Sequence, residues 1–190
     1  MELMSVKSHF SIKYDGPALT THQMDVRELA PALIALSDLL EEANKAAFPD
    51  SAPVRVNVQG NFKGGSFGVD LIAVQSIQQQ IVTMLTGPEA TAAANLSGIL
   101  AGVGLIGGGI GGGLIAVIRW LRGRKPSSIR FDGDKTVFEI RLEERDETLE
   151  ADLVAGRLYQ SRVVRQALAK VVKPLEREGI DSFTSGADGV

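Results

Sequence analysis

Apolar positions recur along this chain with two periods, and each change of period marks a new element. Ser8-His-Phe-Ser-Ile-Lys-Tyr14 alternates apolar and polar, the pattern of a half-buried strand, and Asp15-Gly16-Pro17 ends it. The spacing then changes to three and four: Val26, Leu29, Leu33, Leu36, Leu40, Ala43 and Ala47. That predicts a helix over about 25–47, with Asp25 as its N-cap and Pro31 close to its first turns. The stripe reads as core rather than as a partner interface. Val54-Arg-Val-Asn-Val58 and Ser66-Phe-Gly-Val-Asp-Leu-Ile72 alternate around Lys63-Gly64-Gly65, which predicts a hairpin. A helix over about 74–86 follows, stopped by Gly87-Pro88.

Residues 90–118 carry no charge and include nine glycines among 29 positions; at a helical period Ile99, Val103, Ile106, Ile110, Leu114 and Val117 gather on one side. As a helix the run would extend about 44 Å, against roughly 30 Å for the hydrocarbon core of a bilayer. Arg119, Trp120, Arg122, Arg124 and Lys125 follow it at once, the residue types that a membrane–water interface favours. Energetically the span is marginal. Nine glycines oppose a helix by roughly 9 kcal/mol, while eleven Leu, Ile and Val residues favour insertion by about 3 to 7 kcal/mol. Something must pack against it, and Gly104, Gly108 and Gly112 supply a small-residue face at four-residue spacing, a glycine zipper for self-association.

Two other readings of the run stay open. An apolar helix can also be buried in a fold or in an oligomer interface. Gly102-Val-Gly104-Leu-Ile-Gly107 matches a phosphate loop, but the glycines after it make a poor helix start and no P-loop lysine follows. Topology restrains the first reading. The cationic side belongs in the cytoplasm, the N-terminus lacks the apolar core of a signal peptide, and Gln78-Gln79-Gln80 blocks a second span. Conditional insertion from the cytoplasm, or residence in the cytoplasmic (inner) membrane, reconciles these signs.

Beyond the run, Ser128-Ile-Arg-Phe131 and Thr136–Leu142 flank Asp132-Gly133-Asp134 as a second hairpin. The acidic stretch 143–150 reads as exposed, and Val163, Val164, Ala167, Leu168, Val171 and Val172 mark a helix over 153–175. The tail 184–190 is turn-rich and expected to fray. Four parts result: an N-terminal α+β lobe (1–88), the apolar helix with its collar (89–125), a C-terminal hairpin plus helix (126–183) and the tail (184–190). The predicted fold class is α+β, small antiparallel hairpins packed with helices, plus one long glycine-rich transmembrane helix.

Composition narrows the chemistry. Cysteine is absent, so disulfides, thiolate zinc sites and thiol nucleophiles are excluded. The net charge of −3 contains no long block of one sign, so no nucleic acid is expected as a partner. His9 and His22 are the only histidines and read as ordinary strand or loop residues. Glu41-Glu42 and the Asp132/Asp134 pair read as a helix surface and a turn. H-E-x-x-H, a Walker lysine, G-x-S-x-G and metal-spaced acidic clusters are missing, so no catalytic residue, metal ligand or cofactor is expected.

Ser11–Pro17, Met24–Pro31, Phe62–Gly68, Trp120–Arg124, Val164–Leu168 and Pro174–Gly179 together resemble an uncharacterised family of bacterial proteins, over about 8–183. The resemblance implies a prophage or mobile-element setting and brings no activity or catalytic residue. It also implies that the glycine face is special to this member, and that an ending at Val190 is early. The function expected is a membrane-associated, self-assembling, non-enzymatic protein: a membrane-perturbing effector in phage defence, triggered by a second protein. The alternative is a homo-oligomeric soluble binding module that buries residues 90–118 as its interface.

Overall fold

The computed structural model describes residues 5–21, 23–59, 67–76, 88–107, 112–143 and 145–187. Strand β1 (Ser5–Asp15) buries Phe10, Ile12 and Tyr14 on one face and turns its odd-numbered residues to the other. Helix α1 (Val26–Ala47) begins where the spacing predicts, because the Asp25 carboxylate accepts from the Arg27 amide at 2.8 Å and satisfies a free N–H of the first turn. Pro31 lies inside this helix, where it removes the bond to the Arg27 carbonyl. The buried stripe Ala32, Ala35, Leu36, Leu39, Leu40, Ala43 and Ala47 faces the sheet.

Strands β2 (Val54–Gln59) and β3 (Phe67–Ser76) pair antiparallel, from Val54 opposite Gln75 to Gln59 opposite Asp70. The expected turn at 63–65 lies outside the described residues, as does most of the helix expected over 74–86; residues 74–76 belong to β3. β3 pairs antiparallel with β1, and β1 with β7 (Ser182–Ala187), in the order β2-β3-β1-β7. β1 and β2 are therefore parallel to each other with α1 between them, and β3 and β7 are related in the same way. This is the interleaved split βαβ, ferredoxin-like arrangement. The tail expected to fray from residue 184 is thus, over 184–187, part of the edge strand Ser182–Ala187 that completes the sheet.

Between β3 and the last helix the chain makes a long excursion. It comprises α2 (Pro88–Val103), α3 (Leu114–Leu121), a meander of β4 (Ser128–Asp132), β5 (Lys135–Arg141) and β6 (Asp146–Asp152), and α4 (Leu153–Gln160). The hairpin at 132–134 is as predicted. The acidic stretch is instead strand β6, with Ala151 buried and Asp146, Thr148 and Glu150 exposed; its charge hid a period of two. The single helix expected over 153–175 is broken at Ser161, which ends α4 and whose hydroxyl accepts from the Val164 amide to start α5 (Arg162–Val171). Tyr14 donates its hydroxyl to the Val171 carbonyl at 2.6 Å and tilts its ring against Phe183 at 5.3 Å. Strands β1 and β7 and helix α5 are joined at that point.

The long transmembrane helix is not there. α2 has sixteen residues and α3 eight, about 24 and 12 Å, where a span needs roughly twenty residues. No described helix is long and apolar enough to cross a membrane. Gly104, with φ 95°, ends α2, and the Leu105 amide closes back on the Leu100 carbonyl at 2.8 Å. Gly112, with φ 77°, lies just before α3. Such backbone is open to glycine and not part of a right-handed helix. The apolar side chains go to the protein's own core: Leu96, Ile99, Leu100, Val103, Leu105 and Leu114 join the face of the main sheet that α1 and α5 also cover. Val117 and Leu121 of α3 pack with Phe138, Ile140, Ala151 and Ala155 in a second core under the meander.

Candidate functional site

The cationic stretch after the apolar run begins at the last turn of α3. Arg122 ends that helix in the left-handed conformation (φ 48°), its amide bonded to the Ile118 carbonyl at 3.2 Å. The last carbonyls of a helix have no partner within it and carry partial negative charge. Arg124 turns back onto them. Its Nε donates to the Leu121 carbonyl at 3.1 Å and a terminal nitrogen to the Trp120 carbonyl at 3.2 Å, with Glu147 of β6 at 3.5 Å. Arg124 is first of all a cap.

Across from it stands Tyr159, near the end of α4. Its ring packs edge-on against Phe138 at 5.2 Å, and the Arg165 guanidinium of α5 lies over its face at 5.0 Å. Arg165 also donates to the Tyr159 carbonyl, so the cation is held in place by both the ring and the main chain. Between these two arginines runs an open groove of about 530 Å³. Ile118, Leu121 and Tyr159 supply apolar walls, Arg124, Lys125 and Arg165 supply cations, and no lining residue is acidic. An anion that enters meets positive charge beside an apolar surface, and Arg offers a planar fork of donors suited to carboxylate or phosphate oxygens.

Of the five collar residues, then, the structure brings Arg124 and Lys125 together in the groove. Arg119 and Arg122 are exposed and outside its lining, and Trp120 is half-buried against the meander core. Tyr159 and Arg165 were not legible as site residues, because only the tertiary packing of α4 and α5 beside α3 makes them neighbours of the collar. Gly104 and Gly112 take part in no common helix face, since both have positive φ; Gly108 lies outside the described residues. Two other glycines serve close approach within the chain. A methyl group on Gly102 would overlap Val154 of α4, and one on Gly113 would overlap the backbone at Ala101, Gly102 and Gly104.

Among the described residues no three His, Asp or Glu side chains cluster closely enough to hold a metal ion. Comparison with family models, with curated proteins and with solved structures finds no match to this chain.

Proposed function

We propose that this chain is a non-enzymatic binding protein that docks reversibly on an anionic membrane surface through the Arg124–Lys125–Arg165 groove and the exposed Arg119 and Arg122 beside it. The observation that carries the reading is the groove itself, with three cations, apolar walls and no acidic lining residue. Each Lys or Arg near an anionic leaflet contributes about 1 kcal/mol. With Arg124 committed to its helix end, the other four supply about 4 kcal/mol, which corresponds to a dissociation constant of about 1 mM. Docking of this strength is salt-sensitive and becomes firm only when several copies act together. An effector role in phage defence, if this chain has one, would then be exercised at the bilayer surface.

The alternative, a binding module that assembles through residues 90–118, draws on little apolar surface, because Leu96, Ile99, Leu100, Val103 and Leu114 are buried within the chain. Cosedimentation with phosphatidylglycerol vesicles tests the docking reading. We expect binding at low salt, loss at high salt, little binding to phosphatidylcholine vesicles, and loss in Lys125→Glu/Arg165→Glu. Equal binding to both vesicle types, or unchanged binding of the variant, would overturn it.

A further inference from the structure

Helix α1 has a second face that the fold does not use. While its inner stripe is buried, Val26 is 69% and Ile34 64% exposed, the two most exposed large apolar side chains among the described residues. Around Ile34 the outer face carries the small residues Ala30, Pro31 and Ser37 and the exposed carboxylate of Asp38. Seven residues before Ile34 is Arg27, and seven residues after it is Glu41. Steps of seven drift only about 20° around a helix, so the three share one face, spaced about 10 Å apart along the axis.

The charges at either end of that face differ in sign. Arg27 borders a groove of about 360 Å³ shared with Lys170, Lys173 and Arg177, four cations against the carboxylates of Glu28 and Glu176, of which Glu28 is taken up by Arg177 at 2.8 Å. Glu41 borders one of about 210 Å³ with Asp38 and Glu42; Lys45 pairs with both Glu41 and Glu42 at 2.8 Å, so the three carboxylates share this one ammonium of α1 and the end stays negative. Lys170 lies between the two grooves. A basic end and an acidic end thus flank Ile34 at equal distances.

We propose that the outer face of α1 docks a second copy of this chain, antiparallel, about a two-fold axis through Ile34. In an isologous contact each pairing occurs twice. Arg27 of one protomer then faces Glu41 of the partner subunit, and Glu41 faces Arg27 of the partner subunit, while the two Ile34 side chains meet on the axis. Ala30, Pro31 and Ser37 let the helices approach. Such a contact is steered by charge and weakened by salt. It uses no residue of the groove at the end of α3, and it places two such grooves in one particle.

The self-complementary geometry makes a decisive test possible by sedimentation equilibrium at low salt, with circular dichroism to confirm folding. Wild type is expected to dimerise. Arg27→Glu and Glu41→Arg each set like charges against like twice per dimer, so each alone should bind itself at least about tenfold more weakly. An equimolar mixture of these two variants restores opposite charges at both contacts and should dimerise again. Ile34→Ser, a milder change, should also weaken the dimer. A monomeric wild type, variants that dimerise as well as wild type, or a mixture no stronger than its components would overturn the proposal. Vesicle binding by the monomeric variants is a separate measurement, and its result leaves the dimer question untouched.

Discussion

Two helical regions of this protein exchange the roles that their composition suggests. Residues 88–121 are almost all apolar, with no cation before Arg119, yet α2 and α3 spend their large side chains inside the molecule. Helix α1 is amphipathic and carries six charged residues between Val26 and Ala47, yet it leaves Val26 and Ile34 in solvent. Apolarity sets how much surface must be removed from water. It does not say whether lipid, another subunit or the chain's own sheet removes it. In residues 88–121 the glycines decide, because two of them reverse the backbone and others admit a neighbouring segment closer than any side chain would allow.

The sharpest way to break this comparison is to fill that close approach. A methyl group on Gly113 would overlap main-chain atoms at Ala101, Gly102 and Gly104, which have no rotamer to change. Gly113→Ala should therefore cost about 4 kcal/mol or more, in the range reserved for major packing failures. Gly102→Ala meets side chains only, overlapping Val154 and touching Leu158, and should cost about 1–3 kcal/mol, since a side chain can yield. Urea midpoints at unchanged slope measure both. Were the two equal, Gly113 would not approach the main chain at the end of α2 as closely as its contacts with Ala101, Gly102 and Gly104 indicate.

The core face comes next. Leu100 is completely buried among α2, the sheet and α1's inner stripe, so Leu100→Ala should cost about 3 kcal/mol. Ile34→Ala removes a similar side chain from the opposite side of α1 and should stay within about 0.5 kcal/mol. A large loss at Ile34 measured at dilutions where the protein is monomeric would mean that the outer face of α1 is already covered within the chain.

How much of this could be read beforehand follows from where the signal resides. The alternation of β1 and β2, the boundaries of α1 with its Asp25 cap, and the turn at Gly133 were all legible, because each depends on residues close in sequence. Strand β6 was not, since Glu147 and Glu150 masked the inward path of Leu149 and Ala151. Nor was the break at Ser161, where apolar spacing runs on through two helices and only the hydroxyl cap separates them. β7 pairs with residues 167 to 177 positions away, so its residues from Thr184 onward look locally like a tail. Half of the candidate groove was visible as Arg124 and Lys125. The other half, Tyr159 and Arg165, exists only because α4 and α5 fold back on α3.

The smallest effect separates the two regions by pH. Nothing in α2 or in residues 104–118 can titrate apart from Glu89, so a loss such as that of Leu100→Ala should be nearly the same at neutral and alkaline pH. The junction of β1 with α5 behaves otherwise. Burial raises the pKa of the Tyr14 hydroxyl well above the ordinary value of 10.0. The folded state therefore keeps a proton that the unfolded chain gives up, and the stability is fully present below pH 10 and lost as the pH rises beyond it, by about 1.4 kcal/mol per unit. Lys45, raised by Glu41 and Glu42, and Lys135, raised by Glu150, lose their pairs in the same direction, but they are on the surface and salt screens them. In high salt the alkaline loss should belong mainly to Tyr14. Tyr14→Phe gives up the hydrogen bond to Val171, about 1–2 kcal/mol at neutral pH, and should flatten the profile above pH 10. A variant as steep as wild type would show that another buried group, and not the joint between β1 and α5, carries the alkaline transition.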